Sequence, residues 1–317
     1  NEESARARVA QICESLPPGT FIVEYCVLED RTYVWILSHD RFEHLTLDQV
    51  GREKTNRWST ELQEAARHRD ANGAERVLIA AYAELAAKPL RVIATMTGGV
   101  KPARLVFIPD AGIHGLPLIA LRDPQTRDYL IQRVPIEIAG SAALYDYSIR
   151  RNLGLAPARN PSILILGDPA FDERLPLAQG MKRLDYARNE AERIGDVYAP
   201  SSEILIGADA TAPALLQRAS KHAIVHVAGH AIVNAQTPSR SFLLLAPAAG
   251  YSGALDSEEL LKRLKLDQTR LFVLSTCSSA GGLPVGPEGV APFVRPLLAA
   301  GVPAVIGSLW DVDDATT

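Results

Sequence analysis

Cysteine is scarce in this chain: Cys13, Cys26 and Cys277 are the only three in 317 residues. The number is odd and no pair has a CxxC spacing, which argues against a disulfide framework and a zinc site and for a reducing, cytosolic compartment. No apolar run approaches the roughly 20 residues needed to span a bilayer. The charged start, Asn1-Glu-Glu-Ser-Ala-Arg6, lacks the basic-then-apolar order of a secretory leader. Positive charge is not in excess either. The formal net charge is −4 and the arginines are scattered, so nothing argues electrostatically for nucleic acid or an acidic membrane. Low-complexity tracts are missing as well. What is present, 47% hydrophobic and 22% charged residues over a length that fits two domains, describes a globular protein with ample core.

In the first half, residues 4 to 16 carry apolar positions at helical spacing, ended by Pro17-Pro18-Gly19. Thr20 to Val27, Thr32 to Leu37 and Phe42 to Leu47 alternate and are rich in β-branched and aromatic residues, which predicts an antiparallel meander. A helical pattern runs from Asp48 to about Ala87, a strand covers Ala103 to Ile108, Tyr129 to Ile138 reads as a strand pair, and Ser141 to Ser148 as a short helix. Asp110 and His114 follow a strand end, but no cysteine or serine elbow accompanies them, and they read as structural. The stretch 150–161 is rich in breakers and basic groups. It is the expected boundary between residues 1–155 and 156–317.

Strands and helices alternate in the second half, the pattern of a parallel α/β sheet. Expected strands are Ser162 to Gly167, Glu203 to Ile206, Ala223 to Ala228, Leu271 to Ser275 and Pro303 to Leu309, with Ser241 to Leu245 between the third and fourth. Expected helices run from Tyr186 to Tyr198, after Thr211 with Pro213 in the first turn, from Ser257 behind an Asp256/Glu259 capping box, and from Val290 to Ala300. A further covering helix is expected after the last strand, so the chain reads as a piece truncated at its C-terminus.

Two of these strands end on groups that can do chemistry. Carboxyl ends of parallel strands are where open α/β sheets place their ligands. One strand leads through Gly229 to His230, and the other ends just before Cys277, which lies 47 positions after His230. An imidazole beside a thiol is the minimum equipment for nucleophilic catalysis, the ring first accepting the thiol proton and then returning it to the leaving amine. His222, His226 and His230 are spaced four apart, but the segment is β-forming, no HExxH glutamate is present and no carboxylate or cysteine cluster completes a metal set. No metal and no cofactor are predicted. Among the three histidines, His226 is enclosed by valines and reads as core, whereas His230 stands where a reacting group has room. The small residues from Ser278 to Gly282 leave space for a peptide backbone, and the N–H groups of Gly229 and Cys277 are expected to be unpaired and able to serve as oxyanion donors.

His226-Val-Ala-Gly-His-Ala231, Val273-Leu-Ser-Thr-Cys-Ser-Ser279, Gly253-Ala-Leu-Asp-Ser-Glu-Glu-Leu260 and Gly307-Ser-Leu-Trp-Asp-Val-Asp-Asp314 together resemble the CHAT family (caspase HetF associated with TPRs) of caspase-like cysteine proteases, with a fainter likeness to separase. Leu105 to Leu118 resembles the family's front half. The resemblance implies a caspase-like three-layer α/β sandwich with a mostly parallel sheet, preceded by an α/β pseudo-protease half that carries the N-terminal meander. It also implies His230 as base and Cys277 as nucleophile. The segment Ser275-Thr-Cys-Ser-Ser279 departs from the Gln-Ala-Cys-Arg-Gly of true caspases, so aspartate preference is not carried over. In separase-like relatives an acidic residue near the Trp-Asp motif faces a basic substrate side chain. Asp311, Asp313 and Asp168 are the candidates here, with helix capping as the competing role for Asp311.

The reading that follows is a cytosolic cysteine endopeptidase acting on a protein substrate. The resemblance places it in a regulated prokaryotic, defence-type pathway, with a regulatory TPR or sensor partner outside this chain and no nucleic-acid or membrane partner. Two alternatives stand beside it: a caspase-like scaffold without proteolytic activity, and a thiol acyltransferase or hydrolase using the same dyad on a small substrate.

Overall fold

A computed structural model describes residues 2–157, 159–234, 236–277, 279 and 292–311. The chain divides into two compact units, and the division falls between Tyr147 and Ser148. That is earlier than the breaker-rich stretch suggests, for a local reason. Arg151 donates to the carbonyls of Gly301 (2.9 Å) and Asp267 (2.6 Å), and Arg270 donates to those of Leu155 (2.7 Å) and Ala156 (2.5 Å). The basic residues of the expected linker are thus tied into the second unit.

The first unit opens with α1 (Glu2–Ser15) and the meander β1 (Thr20–Val27), β2 (Arg31–Leu37) and β3 (Phe42–Asp48). Helices α2 (Arg52–Arg67), α3 (Ala71–Ala81) and α4 (Ala87–Met96) lead to β4 (Arg104–Ile108), then α5 (Leu130–Arg133) and β5 (Ile136–Ile138), and α6 (Ala142–Leu153) runs across the division. The sheet order is β3-β2-β1-β4-β5, antiparallel through the meander and parallel from β1 to β4 and β5. The expected strand pair at 129–138 is one strand preceded by a helical turn. Gln132 Oε1 takes the Tyr129 N–H at 2.7 Å, and this local capping prevails over the alternating pattern. Asp110 accepts from the N–H groups of Val27 (2.7 Å) and Ala111 (2.9 Å), a structural use of its carboxylate.

The second unit contains β6 (Ile163–Pro169), α7 (Asp185–Tyr198), β7 (Ser202–Gly207), α8 (Ala212–Arg218), β8 (Ile224–Ala228), β9 (His230–Ile232), β10 (Phe242–Leu244), β11 (Ala254–Asp256), α9 (Ser257–Arg263), β12 (Leu271–Ser275), α10 (Val294–Ala299) and β13 (Ala304–Gly307). The main sheet runs β13-β12-β8-β6-β7 and every pairing in it is parallel. The expected helix start near Val290 lies outside the described residues. Capping follows the sequence: Thr211 Oγ1 accepts from Ala214 N at 3.2 Å and Asp256 Oδ1 from Glu259 N at 2.6 Å.

One face of this sheet buries Leu164, Leu166, Val225, Val227, Phe272 and Leu274 against α8, α9 and α10. On the other face α7 packs on Ile163, Ile165 and Ile206 through Ala191, Ile194 and Tyr198. The approach is close. A Cβ on Gly167 would lie 2.4 Å from that of Ala191, so a glycine is needed where helix meets strand. A second, three-stranded antiparallel sheet, β11-β10-β9, was not anticipated as a sheet. Among the described residues no helix is long and apolar enough to cross a membrane.

Candidate active site

Parallel register brings the two expected groups to one edge. Ala228 of β8 pairs with Ser275 of β12, and Gly167 of β6 with Ala228, so three strand ends lie level. His230 is two residues beyond Ala228, and Cys277 two beyond Ser275. Equal offsets from one rung put residues 230 and 277 just past the carboxyl ends of the two adjacent strands β8 and β12.

Cys277 sits in a turn fixed by serines. Ser279 Oγ bonds the carbonyls of Leu274 and Thr276, each at 3.2 Å, and accepts from Ser308 N at 3.2 Å, while Ser308 Oγ donates to Thr276 O at 2.5 Å. The end of β13 thereby braces the turn that carries the sulfur. Cys277 is half-buried. Burial pushes the thiols of Cys13 and Cys26 up, with Asp110 and Glu24 adding to the rise at Cys26 and Arg52 opposing it. Those two thiols are therefore kept protonated, as core residues are.

His230 opens β9 instead of standing in irregular chain. Its Nε2 lies 2.7 Å from the carbonyl oxygen of Lys182. A carbonyl only accepts, so Nε2 carries a proton, and in the neutral ring the lone pair is then on Nδ1. The Phe171 ring meets the imidazole edge-on, centroids 5.3 Å apart at 88°. Both contacts come from the segment between β6 and α7, and sequence reasoning missed them, because a main-chain carbonyl leaves no mark in the residue types.

A second hydrogen-bonded group lies beneath the rim. His226 is buried on β8, and its Nε2 meets Glu190 Oε1 of α7 at 2.9 Å. Ser275 Oγ donates to the other oxygen, Oε2, at 3.1 Å. One carboxylate therefore joins the two strands just before His230 and Cys277. His222 turns elsewhere, to Glu203 (3.2 Å) and the Arg218 carbonyl (3.1 Å), so the three histidines do not converge. Glu190 was detectable in principle, as an acid among the sheet-facing positions Ala187, Ala191 and Ile194.

Two expectations change. The Gly229 N–H is not unpaired: it donates to Ser275 O at 3.3 Å, extending the ladder by a rung, and so is not free to hold an oxyanion. Asp168 is buried at 6% exposure, and both carboxylate oxygens are engaged. Arg183 binds it through Nε (3.0 Å to Oδ1) and a terminal nitrogen on Oδ2, and Arg188 Nε reaches Oδ2 at 3.2 Å. A substrate cation would have to displace two guanidinium groups to reach it. Asp311 is exposed beyond β13. Asp313, Ser278 and Ala280 to Gly282 lie outside the described residues. A groove of about 490 Å³ between α2 and α3, lined by Trp58, Glu61, His68, Asp70 and Arg76 among others, belongs to the first unit and contains no cysteine.

A mostly parallel sheet, preceded by a unit with its own strand sheet, is an architecture this chain shares with solved structures. The chain belongs to the CHAT domain family, whose model matches residues 75–317. Among solved structures it is similar to the Saccharomyces cerevisiae separase in complex with securin, with a TM-score of 0.57 and 13% identity over 99% of this chain; it spans 28% of that chain's length. It is also similar to the Arg-specific cysteine proteinase gingipain R, with a TM-score of 0.40 and 13% identity over 83% of this chain and 60% of that one. No curated protein sequence matches it.

Proposed function

We propose that this chain carries the catalytic centre of a cysteine endopeptidase, with Cys277 as nucleophile and His230 as general base. The observation that carries the reading is the shared rung: both residues stand two positions beyond the Ala228–Ser275 pair. Lys182 O supports it by accepting the Nε2–H, which makes Nδ1 the basic nitrogen of the neutral ring.

In this reading Nδ1 takes the thiol proton and Sγ attacks the scissile carbonyl carbon. The C–N bond then breaks, the imidazolium gives its proton to the departing amine, and an acyl-thioenzyme remains. Water, losing a proton to the same nitrogen, attacks the thioester. The acid product leaves and the thiol is restored.

A protein substrate fits the family, and the separase in the similar structure is bound to a protein partner, securin. The resemblance adds the proposal that one of Asp311 or Asp313 lines a first specificity pocket favouring Arg or Lys.

An activity-based peptide probe with a thiol-reactive warhead tests the reading on the whole protein. Labelling of wild type that is lost in Cys277→Ala and falls at least tenfold in His230→Ala is the expected result. Equal labelling of Cys277→Ala would overturn the assignment of the nucleophile. A peptide library in which basic preference survives Asp311→Ala and Asp313→Ala would remove the pocket.

A further inference from the structure

The segment from Ala170 to Leu184 leaves the sheet edge at β6 and returns at the start of α7. It is seated on the small sheet by an apolar patch in which Phe171 and Ala178 pack with Leu175 and Met181 against Leu244 and Ile232. Its far end carries the Lys182 carbonyl that receives the His230 Nε2–H. The next side chain, Arg183, reaches back to Asp168 as a two-point ion pair, and Arg188 of α7 closes on the same carboxylate. Asp168 holds a backbone φ of +46°, in the left-handed region that non-glycine residues rarely occupy, at an irregularity between Gly167 and Pro169. Strain of this kind persists where the surroundings require it, and it clusters at functional sites.

We propose that Asp168 is a positioning residue: through Arg183 it clamps the segment so that the Lys182 carbonyl stays on His230 and keeps the proton on Nε2. The inference rests on the dyad reading above and replaces the specificity role expected for Asp168 from the sequence. A planar guanidinium on a buried carboxylate fixes direction as well as distance, and Arg183 is the residue directly after the carbonyl it must aim. Without the carboxylate, Arg183 and Arg188 become two neighbouring like charges and the end of the segment loses its polar tether. The apolar patch then holds the segment as far as Met181, without the ion pair that aims the next carbonyl. An imidazole free to exchange tautomers or to turn presents Nδ1 to the thiol for only part of the time.

Asp168→Asn and Arg183→Lys test this in the full chain. The first removes the charge, and the second keeps the charge but loses the fork. Peptides with a basic and with a neutral residue at the cleavage position should both lose kcat, by about 10²-fold as for a misplaced catalytic group, with KM changed less than threefold. A loss confined to the basic peptide and expressed in KM would show that Asp168 reads substrate, and would overturn the clamp. An activity-independent readout separates this from failure of the protease reading: imidazole 15N shifts of His230, recorded in a Cys277→Ala background. The Nε2–H form in the parent should become a mixture of tautomers in both variants, and an unchanged Nε2–H form would overturn the proposal. Should Asp168→Asn fail to fold, Arg183→Lys, altered at a half-exposed side chain, carries the same two readouts.

Discussion

Glu24 points from the middle of β1 into a partly buried position, and burial raises its carboxyl above the usual carboxylate range. The folded unit therefore holds this proton at pH values where the unfolded chain has released it, and stability falls as pH rises through that window. At neutral pH the cost is fully present. Glu24→Gln should raise the melting temperature at pH 7 and lose its advantage below about pH 4, where the carboxyl is protonated in either state. The sign is the same for the thiols of Cys13 and Cys26, and their window begins near the ordinary thiol pKa of about 8.5. With limiting iodoacetamide at pH 7, mass spectrometry should find both alkylated more slowly than a cysteine in an unfolded peptide, the gap closing only as the protein unfolds. His226 shows how far single residues could be read ahead of the structure. Flanking valines marked it as enclosed, but its partner Glu190 lies 36 positions earlier, on another element.

Helix α7 performs two tasks with one face. Small residues let it lie close on β6, and a carboxylate placed among them ties β8 to β12. Gly167→Ala pushes a methyl into Ala191 and should cost about 1–3 kcal/mol in denaturant unfolding, as overpacking does. Glu190→Ala leaves a buried imidazole and a hydroxyl without their acceptor, again a loss of about 1–3 kcal/mol. Glu190→Gln, which still offers one oxygen to His226, should lose less than half of that. Equal losses in the two Glu190 variants would mean that the charge, and not the bridge, matters.

For the molecule as a whole, the parallel strands of the second unit were legible because burial on both faces leaves continuous apolar runs such as Leu271 to Leu274 and Ile163 to Leu166. Their ends showed where chemistry could sit. Four features were not legible. Strand β9 has only three residues and no alternation to detect. The Tyr129 turn was decided by a side-chain cap, and the acceptor for His230 is a backbone atom of Lys182. The division of the chain was blurred by arginines that looked like linker and act as staples. The small sheet has a consequence for control. In the proposed dyad the base, His230, belongs to β9, paired antiparallel with β10, while the turn that carries the sulfur is tied through Ser279 and Ser308 to the end of the main sheet. A ligand that levers the hairpin outward would silence turnover and leave the sulfur chemically accessible, so a silenced enzyme that still accepts an alkylating reagent identifies the hairpin as the throttle.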